Sequence, residues 1–174
     1  MANFIIRKAE PEDFSAVVEL YRNVARQGGG IAREESEITE AYVRNFTEKA
    51  QQKGMQVVCC DENNTLLGEL HCYPPEPRAF AHVLSELTIV VAPDYQGQGI
   101  GRKMFQTLLD LVLLERPEIR RIELITRESN TKAIALYESL GFAVEGRLEG
   151  RIIGADGRPE ADIPMAWLNP GSRS

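Results

Sequence analysis

The feature that most constrains the fold of this 174-residue chain is a glycine-rich turn between a strand pattern and a helix pattern. β-Favouring residues fill 82–91, and Gly97, Gly99 and Gly101 then alternate ahead of an amphipathic segment that ends before Pro117. The apolar stripe of that segment includes Met104, Phe105, Leu108, Leu111 and Val112. A strand that leads directly into such a helix is typical of layered α/β folds, in which helices cover a sheet.

The rest of the chain also alternates strand and helix patterns around this turn. We predict one α/β domain over 1–170 with a central sheet, followed by a short tail at 171–174. Strands are predicted at 3–8, 55–61, 66–73, 120–126, near 142–153 and at 161–168, and helices from Pro11 to the Gly28–Gly30 run, near 37–52 and from Asn130 to Gly141.

Composition and charge exclude several classes of protein. Hydrophobic residues make up 43% of the chain, enough for a sizeable core, and the formal net charge is -6 without any block of five like charges. A nucleic-acid partner is therefore not expected. No apolar run approaches the roughly 18 residues of a membrane helix, and the first residues lack the apolar core of a signal peptide. We predict a cytoplasmic protein with no membrane partner.

The cysteines Cys59, Cys60 and Cys72 suit a reducing compartment and, with His71, raise the question of a metal site. The predicted hairpin argues against such a site, because adjacent strand residues point to opposite faces and Cys59 and Cys60 therefore do not share one. Pairing about the hairpin turn also places Cys72 near Met55, several residues away. We predict packed or surface thiols and no metal.

Alternating glycines at a helix start let backbone N–H groups approach an anion, which the helix dipole also favours. Phosphate or pyrophosphate is the natural ligand, although a glycine cluster taken alone is more often just a tight strand-to-helix turn. The P-loop pattern fails because Gly101 is followed by Arg102, Lys103 and Met104. The dinucleotide fingerprint fails because the glycine spacing differs and the turn lies in the middle of the chain.

Two motifs resemble one known family. The run 91–101, Val-Ala-Pro-Asp-Tyr-Gln-Gly-Gln-Gly-Ile-Gly, resembles the acetyl-CoA motif Q/R-x-x-G-x-G/A of the Gcn5-related N-acetyltransferases (GNAT). The run 130–142, Asn-Thr-Lys-Ala-Ile-Ala-Leu-Tyr-Glu-Ser-Leu-Gly-Phe, resembles that superfamily's second signature, N-x-x-A-x-x-x-Y-x-x-x-G-F. The tail around 156–166 looks like bacterial branches that include phosphinothricin-type, amino-acid and ribosomal-protein N-terminal acetyltransferases.

The resemblance implies a single-domain GNAT-like fold, with a mixed, mostly antiparallel sheet, a splayed strand pair and flanking helices. It also implies acetyl-CoA as the acetyl donor. The pantetheine would pair with the strand end, whose backbone N–H groups would hold the thioester carbonyl, and the pyrophosphate would sit on the glycine turn. The implied cofactor-binding residues are Ile89, Val90, Val91, Gln96, Gly97, Gln98, Gly99, Ile100, Gly101, Arg102, Asn130 and Tyr137.

The same resemblance gives Tyr137 a catalytic role, the protonation of the departing CoA thiolate, although packing in the core is an alternative role for this tyrosine. The acceptor amine must lose a proton before attack, and Glu86 is the best candidate base because it matches the strand glutamate of phosphinothricin-type relatives. Alternation places Glu86 on the face of Leu84 and Val90. A bulge could place Ser85 there instead, and His71 and His82 are weaker candidates.

We therefore predict an N-acetyltransferase that moves acetyl from acetyl-CoA to a primary amine of a small molecule, such as an amino acid or a polyamine-like compound. Attack would be direct, in a ternary complex. The alternatives are an enzyme for peptide or protein N-termini or lysines, and a noncatalytic acyl-CoA-binding sensor. The acceptor site is expected to include the loops 28–38 and 74–81, and acids outnumber bases over 61–114, which favours a cationic amine. A homodimer is possible.

Overall fold

The computed structural model describes residues 3–28 and 30–172. Over these residues, four α-helices and eight strands alternate, and the predicted α/β class with a mostly antiparallel open sheet is confirmed. The helices are α1 (Phe14–Gln27), α2 (Glu40–Lys53), α3 (Ile100–Glu115) and α4 (Thr131–Ser139). The strands are β1 (Ile5–Lys8), β2 (Met55–Cys60), β3 (Leu66–Tyr73), β4 (Val83–Val91), β5 (Arg121–Arg127), β6 (Ala143–Val144), β7 (Leu148–Ile153) and β8 (Pro159–Leu168).

Packing divides the chain into two units. The first unit comprises Met1–Tyr73 and Thr88–Leu111, and the second comprises Pro74–Leu87 and Val112–Ser174. The last residues of β4 belong to the first unit and its first residues to the second. The prediction of one domain over 1–170 stays a prediction.

In the first unit, β1, β2 and β3 pair antiparallel, and β2 and β3 form the predicted hairpin. Met55 is the register partner of Cys72, as the sequence predicts. The amide that follows β4, Ala92 N–H, donates to the Leu67 carbonyl at 2.7 Å. Helices α1 and α2 bury their apolar faces in one cluster with the end of β4. The fully buried members include Val17, Tyr21, Val24, Ile38, Val43, Phe46 and Val90.

In the second unit, the start of β4 pairs parallel with β5, and β5 pairs antiparallel with β8 over its full length. The strand predicted near 142–153 is divided into β6 and β7, which both pair with β8. The register shifts between Leu148 and Ile152, where Gly150 has a φ of 57°. Between these pairs β7 is two residues longer than β8, and such extra residues bend a strand and interrupt its pairing. A periodic sequence pattern does not reveal them.

Local signals predict the helix starts to within about three residues. Thr39 caps α2, because its hydroxyl accepts a hydrogen bond from the Tyr42 amide at 3.1 Å, so the helix begins three residues later than predicted. The predicted helix start at Pro11 is a 3-10 turn that leads into α1 at Phe14. Asn130 is the N-cap of α4, as predicted.

All three cysteines are buried and carry free thiols. Across residues 3–28 and 30–172, no group of three or more His, Cys, Asp or Glu side chains is placed to hold a metal ion. The helices of this same part of the chain are too short or too polar to cross a membrane.

Candidate functional site

The glycine turn lies in the first unit, between the end of β4 and the start of α3. Gly97 and Gly99 have φ angles of 75° and 81°, a left-handed conformation that strongly favours glycine. A Cβ atom built at either position would meet no other part of the protein within 4 Å. The backbone conformation therefore requires glycine here, and the space beside both residues is open to an approaching group.

Side chains of the turn hold its shape. Gln96 Nε2 donates to the Val91 carbonyl at 3.1 Å, and Gln98 Nε2 donates to the Asp94 carbonyl at 3.3 Å. The backbone amide of Gln96 donates to the Pro93 carbonyl at 3.3 Å, so this amide is part of the turn itself. The first amides of an α-helix have no acceptor within the helix, so those at the start of α3 are suited to an anion.

The end of β4 packs against the first turn of α3. A Cβ atom at Gly101 would lie 3.7 Å from Ile89 Cδ1, an ordinary packing distance. Val90 is buried, whereas Ile89 and Val91 are half-buried. Arg102 is exposed on the same first turn of α3 and adds a positive charge there. The predicted cofactor residues from Ile89 to Arg102 thus form one continuous segment of the first unit.

Glu86 lies in the second unit, where β4 departs from regular strand geometry. Its φ is 49°, a left-handed value that costs an ordinary residue about 1–3 kcal/mol. The parallel pairing of β4 with β5 joins Val83 with Arg121 and Leu84 with Ile122. It therefore ends two residues before Glu86. The regular alternation predicted for this strand is therefore wrong at Glu86, which is exposed, whereas Leu84 is buried. A left-handed residue turns the strand, and β propensity does not predict such a turn.

Helix α4, also in the second unit, carries the other two predicted residues. Asn130 Oδ1 accepts a hydrogen bond from the Ala133 amide at 3.3 Å, and this N-cap orients the first turn of the helix. Tyr137 is 8% exposed, and its ring centroid lies 6.0 Å from that of Phe142. Burial raises the pKa of Tyr137 to about 12, so the phenol stays protonated at neutral pH.

The sequence did not single out a buried polar cluster in the first unit. His71, a weaker base candidate, is 2% exposed and lies 3.1 Å from the carboxylate of Glu69, which is itself fully buried. The signal that could have revealed it is the pair Glu69 and His71, two residues apart on one face of an otherwise apolar strand. Because Glu69 is buried, it is not one of the surface acids that the charge count over 61–114 assumed.

Comparison with known proteins agrees with the two motifs. The chain is 44% identical over 84 residues to the [ribosomal protein bS18]-alanine N-acetyltransferase of Escherichia coli strain K12, a match that covers 47% of this chain and 55% of that protein. It is 29% identical over 112 residues to the spermidine N(1)-acetyltransferase of the same strain, over 64% of this chain and 56% of that protein. The chain thus spans about half the length of the curated relatives it matches.

A solved structure shares the whole fold. The yncA protein of Salmonella typhimurium, solved with its cofactor acetyl-CoA, superposes with a TM-score of 0.83 over 98% of this chain and 96% of that one, at 22% identity. The sequence profile of the acetyltransferase (GNAT) family matches residues 13–142, which include β2 to β5, the glycine turn and α4. The chain therefore belongs to the acetyltransferase (GNAT) family.

Proposed function

We propose that this protein transfers the acetyl group of acetyl-CoA to a primary amine. The observation that carries the proposal is the glycine turn, because Gly97 and Gly99 leave open space beside the start of α3, where backbone amides would bind an anion. A pyrophosphate such as that of CoA meets this requirement. Family membership supports the same cosubstrate, and α4 supplies the second signature of the family.

The chemistry needs a proton acceptor for the amine and a proton donor for the thiolate. An alkylammonium with a pKa of about 10.4 is neutral at pH 7 in only about one molecule in 2,500, so a base helps. We assign that role to Glu86, whose exposed carboxylate sits on a strained residue of β4. The amine nitrogen attacks the thioester carbon, the carbon–sulfur bond breaks, and Tyr137 supplies a proton to the thiolate that leaves.

Direct attack on acetyl-CoA is the simpler route. An acetyl-cysteine intermediate requires a reactive thiolate, and all three cysteines are buried. Burial raises the pKa of Cys59 to about 11, which leaves almost no thiolate at neutral pH. Backbone N–H groups of Ile89 to Val91 would hold the thioester carbonyl, a role of the oxyanion-hole type.

We propose a small amine as the acceptor, either an amino acid or a polyamine-like compound. The surface acids Asp61, Glu62, Glu76 and Asp94 favour a cationic or zwitterionic amine through their field. One relative is named for spermidine and another for an alanine of a ribosomal protein, so a peptide N-terminus is the second candidate. A cytoplasmic location and a homodimer stay predictions.

An acceptor panel tests the proposal. The protein is incubated with acetyl-CoA and spermidine, free amino acids, phosphinothricin or an alanine-starting peptide, and the release of free thiol is followed. Transfer to spermidine or an amino acid supports the small-amine enzyme, and exclusive transfer to the peptide favours the second candidate. Acetyl-CoA binding without thiol release for any amine would indicate a noncatalytic acyl-CoA sensor instead.

A further inference from the structure

A buried hydrogen-bonded cluster in the first unit has no part in the reaction proposed above. It consists of Tyr21 on α1, Gln56 on β2, and Glu69 and His71 on β3, and we call it the Glu69 cluster. None of the four is more than 6% exposed. Gln56 and His71 are register partners, and Glu69 lies two residues before His71 on the same face of β3.

The Glu69 carboxylate is the centre of this cluster. Tyr21 Oη donates to Glu69 Oε2 at 2.6 Å, and Gln56 Nε2 donates to Oε1 at 3.0 Å. His71 Nδ1 lies 3.1 Å from Oε1 and 3.2 Å from Oε2. Burial, together with the neighbouring Glu69, raises the pKa of Tyr21 well above its usual value, so this hydroxyl remains a donor. One carboxylate thus joins α1, β2 and β3.

Helix α2 joins the cluster through its aromatic side chains. The ring of Phe46 stacks on that of His71, with 3.9 Å between centroids and an angle of 6° between planes. The same phenyl ring lies 5.2 Å from the ring of Tyr21. Both helices that flank the 30–39 connection are therefore anchored on β3 at one place.

The 30–39 connection between α1 and α2 depends on α1 for its own position. Arg22 Nε donates to the Ile38 carbonyl at 3.2 Å, and Arg26 Nη2 donates to Glu35 Oε1 at 2.6 Å. Ile38 belongs to the same hydrophobic cluster as Val90, in the segment of β4 to which we assign the thioester. A shift of α1 would carry this connection with it and change how Ile38 packs within the hydrophobic cluster.

We propose that the Glu69 cluster positions the 30–39 connection as a wall of the acceptor site, which makes Glu69 and Tyr21 positioning residues for acceptor binding. The inference rests on the proposed function, because it assigns the acceptor to this connection. Each hydrogen bond to the buried Glu69 side chain offsets part of the cost of removing it from water, and the loss of one partner leaves an oxygen poorly satisfied. Loss of the hydrogen bond between Tyr21 and Glu69 should therefore shift α1.

Hydrogen exchange followed by mass spectrometry tests the positioning without any acceptor. Tyr21→Phe removes one donor to Glu69 and keeps the ring, whereas Leu70→Val, on the opposite face of β3, removes only apolar packing. We expect the amides of 30–39 to exchange about tenfold faster in Tyr21→Phe and at the wild-type rate in Leu70→Val, with 96–106 unchanged in both. Glu69→Gln should act in the same direction as Tyr21→Phe.

Unchanged exchange at 30–39 in folded Tyr21→Phe would overturn the proposal, and so would equal acceleration in Leu70→Val. Steady-state kinetics with spermidine and an alanine-starting peptide then test the link to the acceptor. For whichever of these two amines the protein acetylates, we expect Tyr21→Phe to raise the KM about tenfold. The kcat and the KM for acetyl-CoA should stay within about twofold of the wild-type values.

An equal rise in both KM values would contradict the assignment of the 30–39 connection to the acceptor. Failure of the wild-type protein to acetylate either probe or any amine of the panel counts against the proposed function, and the exchange experiment still decides whether the cluster positions 30–39. The two failures are therefore distinguishable.

Discussion

The carbonyl of Gly99 accepts a hydrogen bond from the amide of Lys103 at 3.1 Å, which closes the first turn of α3 on a residue with a φ of 81°. The last left-handed residue of the glycine turn is thus also the residue on which the helix begins. The amides of the first helical turn have no acceptor within α3, and the space beside Gly99 is open.

The first prediction concerns this turn. Gly99→Val forces a β-branched side chain into a left-handed conformation and fills the space beside the amides, so we expect acetyl-CoA binding to weaken at least tenfold. Isothermal titration calorimetry measures the change. Gly157→Val is the matched control, because Gly157 has a φ of 78° and a Cβ atom there would also meet nothing within 4 Å. Equal weakening in both variants would contradict a pyrophosphate site at Gly99.

The second prediction concerns the leaving group. Tyr137→Phe removes one hydroxyl from a side chain that is 8% exposed, and the ring that packs near Phe142 stays. We expect kcat to fall by about 100- to 10,000-fold, the usual range for a general acid, with unchanged acetyl-CoA affinity. Because the pKa of Tyr137 is about 12, its ionisation should not appear in the pH–rate profile below about pH 11. Full turnover in a folded variant would leave Tyr137 a packing residue.

The third prediction separates two roles of Glu86. Glu86→Gln keeps the shape of the side chain and the left-handed backbone but removes the proton acceptor. We expect kcat to fall at least 100-fold, with the KM for the amine little changed. If Glu86 only binds the ammonium group, the KM for the amine should rise with kcat kept. Ser85→Ala is the control. If Ser85 rather than Glu86 acted at the amine, Ser85→Ala would lower kcat more than Glu86→Gln does.

The fourth prediction concerns stability at low pH. Arg7 donates two hydrogen bonds to Asp13, at 2.7 and 2.9 Å, and these bonds lower the pKa of that buried carboxyl below its usual value. A lowered folded-state pKa means that the stabilisation is present above the unfolded pKa of about 3.9 and is lost as pH falls through the folded value.

We therefore expect Asp13→Asn to lower the free energy of unfolding by about 1–2 kcal/mol at pH 7, with a smaller difference from the wild type below pH 4. Urea titrations at both pH values measure this change. Glu12→Gln, at the exposed neighbouring position, is the control and should change stability by no more than about 0.5 kcal/mol. A pH-independent effect of Asp13→Asn would show that the ion pair with Arg7 is not its source.

The sequence by itself determined the features that depend on neighbours along the chain. The glycine turn, the N-cap at Asn130 and the pairing of Met55 with Cys72 were all predicted and are confirmed, because turn length and capping chemistry act over a few residues. The two family motifs also lie within short segments. The two motifs alone were enough to indicate the family.

Only the tertiary structure decided the features that depend on distant partners. The left-handed conformation of Glu86 opposes the preference of a glutamate in a strand, and the surrounding fold must compensate for its cost. The burial of Glu69 depends on partners from other elements, among them Tyr21, 48 residues earlier, whose hydroxyl donates one of the hydrogen bonds that make a buried carboxyl group tolerable. A pattern along the chain records the type of each side chain, but the partners that permit burial or strain are set by the packing of separate elements.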